Sequence, residues 1–390
     1  MQAVVYTLQQ IFYKDEYADK AVPALLRKHK EWGARDRQFV AESIYDGVRW
    51  WRKYWHAMGC TPTFTEPEIH YFLAISLMSR GYTLLNPEIL GVTDVAALQK
   101  MLYQSFPKAV EHSLPDWLYD TIQSELGNLA DATITALNQL PTVYLRVNTL
   151  KITKKALISA LMKEMIAVAD VPDAPDALLL VTRKNLQKNA KFLEGAFEFQ
   201  DIGSQAIGSF CGVKKGQTVI DVCAGAGGKA LQLAAIMENK GRIIATDLHA
   251  NRLQSLTTRA ERAGVRCLNM NSLENLSKYK NAADLVLLDV PCSGLGVLRR
   301  NADTKWKLTE KELNELRQTQ YDILTNYANL TKYGGNLVYA TCSILPSESE
   351  LQVKRFLAEN ENWALVAEQR TAPHLTDTDG FYMAKLQRQN

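Results

Sequence analysis

The chain has 390 residues, of which 47% are hydrophobic and 22% are charged, and its formal net charge is +3. This composition is typical of a globular protein with two or three domains, and so small a net charge does not by itself indicate a nucleic-acid partner. There is no apolar run of about 18 residues that would indicate a membrane helix, and residues 1–20 lack the apolar core of a signal peptide. The six cysteines include no C-x-x-C pair, which argues against a zinc ribbon or a disulfide framework. We therefore expect a cytoplasmic monomer with reduced thiols, no metal and no membrane association.

Residues 1–110 are predicted to be helical. Apolar side chains recur there at three- and four-residue spacing, as in Val40, Ile44, Val48 and Trp51. Basic residues lie between the aromatic ones, and the pattern favours a packed face opposite a solvated face over contact with RNA.

Residues 111–200 are predicted to form a small α+β module. Strand-like alternation covers 142–148, and further short strands are expected at 178–181 and 197–200, with a helix over 154–165. The module carries scattered lysines, for which RNA binding and simple solvation are both open interpretations.

From residue 201 strands and helices alternate, which is typical of a doubly wound, Rossmann-like parallel sheet. The predicted strands are 218–222, 242–246, 265–270, 284–289, one that follows Gly334-Gly335 and ends at Thr341, and a closing strand at 381–386. The predicted helices run from the glycine loop to 237, over 252–263 and over 309–330. Capping boxes, which mark helix N-termini, are predicted at Thr309/Glu312 and at Ser347/Glu350.

A glycine-rich loop with the sequence DVCAGAGGK, residues 221–229, follows the first of these strands. Its glycines let the backbone approach a ligand closely, and Asp247, which ends the second strand, is placed to accept hydrogen bonds from ribose hydroxyls. The spacing also fits a dinucleotide, but Asp221 suits a cationic ligand, which favours S-adenosylmethionine. The residues predicted to contact this cofactor are Cys223, Ala224, Gly225, Ala226, Gly227, Gly228, Lys229, Asp247, Arg252, Asn271 and Asp289.

Two cysteines follow two of the predicted core strands, Cys292 in the segment DVPCSG and Cys342 in the segment ATCS. Ligands bind at the carboxyl ends of strands in an open α/β sheet, so both thiols are expected beside the cofactor cleft. A thiolate that adds to carbon 6 of a cytosine lets carbon 5 attack a sulfonium methyl, and a base must then remove the carbon-5 proton. Cys342 and Cys292 are candidates for these two tasks, and Asp289 for stabilising the charge at ring nitrogen 3. The competing interpretation is that both cysteines are small packing residues.

The segment after Cys292 contains Arg299 and Arg300, which are predicted to hold phosphates. Trp306 would either stack on a base or pack in the core. His249 is the one histidine near the predicted cleft, and we interpret it as a surface residue at a helix start.

These motifs resemble those of the RNA cytosine-C5 methyltransferases of the RsmB/Sun type, in the NOL1/NOP/Sun family. The resemblance covers the catalytic part of the chain densely, from the glycine loop through DVPCSG, RRN, KW and TCS to the closing GFYMA. It implies an S-adenosylmethionine-dependent enzyme in which Cys342 is the nucleophile, Cys292 serves release, and Lys229 lies beside the target base.

The upstream sequence is also similar to parts of this family. The segments ARDR and IYDGVR are similar to a NusB-like helical domain, and LRVN and FQDIGS resemble the family's small RNA-binding module. The resemblance thus implies a NusB-like domain at 1–110, an RNA-binding module at 111–200 and a methyltransferase domain at 201–390.

Three positions depart from the family pattern. Ala226 and Ala302 stand where the family has proline, and a carboxylate expected after the third strand is replaced by an amide or a hydroxyl (Asn269, Asn271 or Ser272). The residue that contacts adenine is therefore the least determined part of the predicted site.

We predict an RNA cytosine-C5 methyltransferase, with ribosomal RNA as the favoured substrate and a target base that leaves its stack to reach the thiols. The alternatives are a transfer-RNA cytosine-C5 methyltransferase and a non-catalytic RNA-binding ribosome-assembly factor with a vestigial cofactor site. A nicotinamide-dependent dehydrogenase is a third, but it leaves the thiol pair unexplained. A vestigial site need not keep Cys292, Cys342, Asp289 and Lys229 together.

Overall fold

The computed structural model describes residues 1–390, apart from the side chain of Glu66. The chain separates into two units: Met1–Gln139 together with Leu298–Glu310, and Leu140–Val297 together with Lys311–Asn390. None of the described helices combines the length and the apolar character that a membrane span requires. The division into three domains at residues 110 and 200 stays a prediction.

The first unit is helical. Phe12 and Trp51 stack with ring centroids 3.8 Å apart, and Trp55 and Phe72 stack at 5.2 Å, so the residues at three- and four-residue spacing form the packed face. The helices up to residue 139 are α1 (Gln2–Tyr13), α2 (Ala18–Lys28), α3 (Ala34–Arg49), α4 (Trp51–Ala57), α5 (Glu66–Ser79), α6 (Val95–Leu102), α7 (Lys108–Glu111), α8 (Asp116–Leu126) and α9 (Ala130–Leu137).

The segment Leu298–Glu310 buries three charged side chains within this helical unit, those of Arg299, Asp303 and Lys305. Arg299 is 2% exposed, and its guanidinium donates to a backbone carbonyl of α9. Lys305 is fully buried and donates to the last carbonyl of α3. Burial and the charge of Arg49 lower the pKa of Lys305 well below its ordinary value. The prediction that Arg299 holds an RNA phosphate is therefore wrong, and Trp306 packs in the core, where its indole donates to α3.

The second unit begins with a small antiparallel sheet in the order β2-β3-β1-β4. Its core contains Leu145, Leu157, Leu178 and Phe197, all buried, which confirms the predicted α+β module. Strand β2 was not predicted because its residues are half-buried or exposed and show no apolar alternation. The elements are β1 (Tyr144–Val147), α10 (Lys154–Lys163), β2 (Val168–Asp170), β3 (Ala177–Leu180), α11 (Ala190–Leu193) and β4 (Phe197–Phe199).

The rest of the chain forms a doubly wound sheet, as predicted. Its elements are α12 (Ile202–Cys211), β5 (Thr218–Asp221), α13 (Gly228–Ile236), β6 (Arg242–Ala245), α14 (Ala250–Ala263), β7 (Leu268–Met270), β8 (Ala283–Asp289), α15 (Thr304–Lys307, in the helical unit), α16 (Glu310–Ala328), β9 (Thr331–Thr341), α17 (Glu350–Glu359), β10 (Trp363–Arg370), α18 (Pro373–Thr376) and β11 (Tyr382–Arg388). Short 3₁₀ turns lie at Pro87–Leu90, Gly127–Leu129, Leu273–Tyr279, Leu295–Val297 and Pro346–Glu348.

The described part of this sheet has seven strands in the order β10-β11-β9-β8-β5-β6-β7. Strands β9, β8, β5, β6 and β7 are parallel, and β11 is antiparallel to its neighbours β9 and β10. The chain moves outward from β5 to β7 and then returns to β8 on the other side of β5. The strand order therefore reverses between β5 and β8, and the carboxyl ends of these strands open the crevice in which such sheets bind ligands.

Three details differ from the sequence prediction. Strand β9 begins at Thr331 and passes through Gly334-Gly335, since the pairing with β8 shifts between Ala283 and Leu285 and accommodates extra residues there. The edge strand β10 was not predicted, because most of its residues are exposed or half-buried. The N-cap of α17 is Ser349 rather than the predicted Ser347, so Glu350 is the first residue of the helix, and its carboxylate pairs with Arg370.

Candidate active site

Cys292 and Cys342 lie side by side at the carboxyl ends of adjacent strands. β8 and β9 run parallel with Asp289 opposite Ala340, so the segments that follow the two strands leave the sheet together. The two Sγ atoms are 3.3 Å apart, and both are free, half-buried thiols. At this separation a single planar ring can contact both sulfur atoms. Two unrelated packing residues would not be expected to form such a paired contact.

The environment of Cys292 keeps this thiol protonated. The hydrogen bond with Cys342 is the main cause that raises the pKa of Cys292 well above its ordinary value, and burial and the charge of an ionised Cys342 add to it. At neutral pH Cys292 is therefore a neutral thiol that faces the sulfur of Cys342. Its raised pKa marks Cys292 as a thiol that holds its proton.

Lys229 and Asp289 form a partly buried ion pair next to the thiols. The Nζ atom lies 2.6 Å from Oδ2, and the side chains are 12% and 29% exposed. Burial lowers the pKa of Lys229, but the charge and hydrogen bond of Asp289, with smaller contributions from Cys342 and Asp221, hold that pKa above its ordinary value. Lys229 is thus a permanent cation at the point where β5, β8 and β9 end.

A buried polar cluster, which was not predicted, lies beneath the two cysteines. Its centre is the fully buried carboxylate of Glu348, which accepts hydrogen bonds from the hydroxyls of Ser293 and Ser343 and from the amide of Gln320. A serine directly follows each cysteine, and this repeated Cys-Ser pair was the available signal. Nothing in the local sequence marked Glu348, because its partners come from distant segments.

The glycine loop leaves open space beside its backbone. Gly225 and Gly227 have φ values of +55° and +86°, which side chains rarely adopt. A Cβ added to Gly225 or Gly228 would meet no atom within 4 Å, whereas one on Gly227 would lie 1.9 Å from a methyl carbon of Leu256. Gly227 is therefore required for packing, and Gly225 and Gly228 border the cleft.

Asp221 supplies a buried carboxylate at the start of this loop. It is 1% exposed, and neither oxygen accepts a hydrogen bond of ordinary geometry from the described residues. Burial, with the charge of Asp289 as the next cause, raises the pKa of Asp221 to about 8. A buried carboxyl group whose oxygens accept no hydrogen bond of ordinary geometry fits a ligand that brings a positive charge, such as the sulfonium and amino groups of S-adenosylmethionine.

Asp247 holds the loop as well as lining the cleft. Its Oδ2 accepts a hydrogen bond from the Gly225 amide at 2.9 Å, and its Oδ1 accepts one from the His249 amide at 2.8 Å. The Nη1 atom of Arg252 lies 3.7 Å from Oδ2 of Asp247. A cavity of about 570 Å³ opens beside Asp247 and is lined also by Leu248, Ala250, Leu253, Met270, Asn271, Ser272, Leu273, Glu274 and Asn275. It is large enough for an adenosine group, and two of the candidates for the adenine contact, Asn271 and Ser272, line it.

The other residues predicted in and after the loop, Ala224, Cys223 and His249, support the fold around the cleft. The amide of Ala224 donates to Thr246 at 2.9 Å, which ties the loop to β6. Burial and the charge of Asp221 raise the pKa of the Cys223 thiol, so Cys223 is not a nucleophile. His249 is an exposed residue directly before α14, as predicted.

Two arginines hold the loop on either side of Gly227. Arg146 of β1 donates to the carbonyl of Gly228 at 2.6 Å, and Arg259 of α14 donates to the carbonyl of Ala226 at 2.7 Å. Arg259 is oriented by Glu198 of β4, which pairs directly with Arg146 in the small sheet. Ala226 stands where a proline was expected from the sequence resemblance. The hydrogen bond from Arg259 restrains the loop at this position instead. Arg146, from the LRVN segment, contacts the cofactor loop.

Comparisons with known proteins extend over both the site and the small module. Residues 211–387 match the family model described as 16S rRNA methyltransferase RsmB/F. Residues 114–187 match the model of the ferredoxin-like domain of RsmF/B-like methyltransferases.

Two similar proteins cover nearly the whole chain, and a third covers about seven-tenths of it. The ribosomal RNA small subunit methyltransferase B of Klebsiella pneumoniae is 31% identical over 97% of this chain and 96% of its own length. The crystal structure of PH0851 covers 99% of this chain and 98% of its own, with a TM-score of 0.80 and 23% identity, which shows the same fold. NSun6 from Pyrococcus horikoshii, solved with SFG, covers 71% of this chain and 98% of its own, with a TM-score of 0.65 and 23% identity.

Proposed function

This chain belongs to the RsmB/F family of methyltransferases, whose methyl donor is S-adenosylmethionine, and we propose that it methylates carbon 5 of a cytosine in ribosomal RNA. The observation that carries the proposal is the contact between the Cys292 and Cys342 sulfurs beside the Lys229–Asp289 pair. Carbon 5 of cytosine is a weak nucleophile, and a thiolate that adds to carbon 6 overcomes this.

Cys342 is the attacking group in this mechanism. Cys292 keeps its proton, and the Lys229 cation, which interacts electrostatically with Cys342, favours attack by the Cys342 sulfur. A bond forms between Sγ of Cys342 and carbon 6, and the electron pair of the carbon 5–carbon 6 double bond moves towards carbon 5. When bound, S-adenosylmethionine would supply an electrophilic methyl group on a positively charged sulfur, which becomes a neutral thioether when the methyl group is transferred.

Cys292 acts after the methyl group has been transferred. Once Sγ of Cys342 is bonded to carbon 6, it carries no charge and is only a weak hydrogen-bond acceptor, so two of the causes that raise the Cys292 pKa are removed or weakened. Cys292 can then lose its proton to solvent and accept the proton from carbon 5. The carbon 5–carbon 6 double bond re-forms as the bond to Cys342 breaks, which restores the free thiolate.

Asp289 and Lys229 orient the base. Lys229 donates a hydrogen bond to Oδ2 of Asp289, and this pair can stabilise the charge that develops at ring nitrogen 3 when the thiolate adds to carbon 6. Asp247, Arg252 and Asn271 are proposed to bind the adenosine part of the cofactor, around the cavity beside α14.

The substrate assignment is supported by relatives named for the small ribosomal subunit RNA and by the 16S rRNA description of the family model. The target base must be looped out or flipped, because a stacked base cannot be reached by two thiols at the bottom of a cleft. The small module is proposed to bind RNA, and a NusB-like role for the helical unit is likewise a proposal.

The test uses the purified protein, tritiated S-adenosylmethionine and transcripts of small-subunit ribosomal RNA and of transfer RNA. Cys342→Ala should abolish transfer, and Cys292→Ala should accumulate a protein–RNA adduct that survives a denaturing gel. Cys60→Ala, a half-buried cysteine of the helical unit, is the matched control and should behave as wild type.

Bisulfite sequencing then locates the modified position. Methylation of the ribosomal transcript at cytosine carbon 5 supports the proposal. Methylation of the transfer RNA transcript alone would identify the other substrate, and cofactor binding without methylation of either would indicate an assembly factor. Turnover by Cys342→Ala would refute the assignment of the nucleophile.

A further inference from the structure

Glu348 connects the two segments that carry the thiols. Its Oε2 accepts hydrogen bonds from both serine hydroxyls, Ser293 Oγ and Ser343 Oγ. Its Oε1 accepts one from the backbone amide of Ser293 at 2.8 Å and one from Nε2 of Gln320 at 2.9 Å. One carboxylate therefore binds the residue that follows Cys292 and the residue that follows Cys342.

The surrounding groups hold Glu348 itself in place. The hydroxyl of Tyr339 in β9 donates to its backbone carbonyl at 2.7 Å. Gln320 of α16 also donates to the carbonyl of Pro291 at 3.1 Å, directly before Cys292. Glu348, Ser343 and Gln320 are all fully buried, so water does not compete for these bonds.

Burying this carboxylate is unfavourable for folding alone. A buried charge loses its hydration, and here hydrogen-bond donors rather than a cation compensate for the loss. Apolar side chains would fill the same space at lower cost, so fold stability does not explain the cluster. Its geometry points to the thiols: the two serine Oγ atoms are 3.3 Å apart, and so are the two sulfurs that precede them in the chain.

We propose that Glu348 is a positioning residue that sets the separation of the Cys292 and Cys342 sulfurs through the two serines. This inference rests on the proposed function, in which both sulfurs act on one cytosine ring. A displacement of about 1 Å at a reacting group can reduce the rate about 100-fold, so such a brace is relevant to catalysis.

Glu348→Gln and Glu348→Ala distinguish positioning from proton transfer. In Glu348→Gln the amide oxygen can still accept from the Ser293 amide and from Gln320, and its two N–H groups can each donate to one serine hydroxyl oxygen. Single-turnover methylation of the ribosomal transcript should therefore stay within about threefold of wild type for Gln and fall at least about thirtyfold for Ala. The dissociation constant for S-adenosylmethionine should change less than twofold in both.

The two serines should separate the steps. Ser343→Ala loosens the segment of Cys342 and should slow formation of the covalent adduct, whereas Ser293→Ala loosens the segment of Cys292 and should make the adduct persist. Glu359→Gln, at the exposed end of α17, is the matched control and should leave every measurement unchanged.

A second readout does not require catalysis. Dibromobimane becomes fluorescent when it joins two neighbouring thiols, and peptide mapping identifies the Cys292–Cys342 product. Glu348→Ala should form this product at a rate at least several times different from wild type, while Glu348→Gln should match wild type.

The outcomes separate the two proposals. If wild type methylates no cytosine but the cross-linking rate responds to Glu348→Ala, the proposed function fails and the brace stands. If Glu348→Ala folds, methylates and cross-links as wild type does, the brace is refuted. A loss of activity in Glu348→Gln equal to that in Glu348→Ala would also overturn it, since that result requires the charge or a proton transfer.

Discussion

The ion pair between Lys229 and Asp289 should contribute measurably to folding as well as to the site. The perturbation is a double-mutant cycle of Lys229→Met and Asp289→Asn, with unfolding free energies measured by urea denaturation at pH 7. At an effective dielectric constant of about 20, Coulomb's law gives about 6 kcal/mol for unit charges 2.6 Å apart. The double-mutant cycle cancels the desolvation of each single ion, but both side chains keep some exposure and solvent screens the pair, so we expect a coupling energy of about 2–3 kcal/mol.

A second ion pair of β8, between Asp284 and Lys332, provides a matched control. Lys332 and Asp284 have a 2.5 Å contact, but their side chains are 48% and 21% exposed, so solvent screens the pair and its coupling should be below about 1 kcal/mol. The N–O distances of the two pairs are nearly equal, so the difference between their coupling energies measures the screening by solvent. Equal coupling energies in the two cycles would refute the reasoning.

The pH dependence of this stabilisation follows from the Lys229 pKa. That pKa is raised in the folded state, so the stabilisation is fully present below the ordinary lysine pKa of about 10.4. It is lost only as the pH rises through the folded-state value. Measurements at pH 7 therefore report the full contribution.

Three further predictions concern the cofactor cleft. The pKa of Asp221 is raised to about 8, so the ligand-free protein should lose stability as the pH rises from about 4 to about 8, and Asp221→Asn should remove this dependence in thermal unfolding. Gly225→Ala should fold at a cost of about 1 kcal/mol yet weaken S-adenosylmethionine binding at least tenfold by calorimetry. Gly227→Ala should instead lower the melting temperature through its clash with Leu256. If Gly225→Ala lowered the melting temperature and Gly227→Ala weakened binding, the assignment of Gly225 to the open side of the loop would be contradicted. Asp247→Ala should weaken binding of the cofactor far more than binding of RNA, and equal losses would indicate misfolding.

The sequence was most informative where one local pattern determines one local structure. The apolar runs of β5, β8 and β9 predicted buried parallel strands, and the glycine spacing predicted a close backbone approach, because both depend on residues near one another in the chain. The strand-end positions of Cys292 and Cys342 followed directly. The same reasoning missed β2 and β10, whose partly exposed residues carry no apolar alternation.

Tertiary structure decided what these residues meet. The 3.3 Å between the two sulfurs depends on the register of β8 and β9, and the Lys229–Asp289 contact joins segments from different strands. Arg299, predicted to be a phosphate ligand, is instead buried in the helical unit.

The cysteines were thus identified by the sequence alone, because strand periodicity is local and thiol chemistry belongs to the residue type. The raised pKa of Cys292 and the hydrogen bonds of the Glu348 carboxylate were not, because burial and hydrogen-bond geometry arise only when segments far apart in the chain pack together.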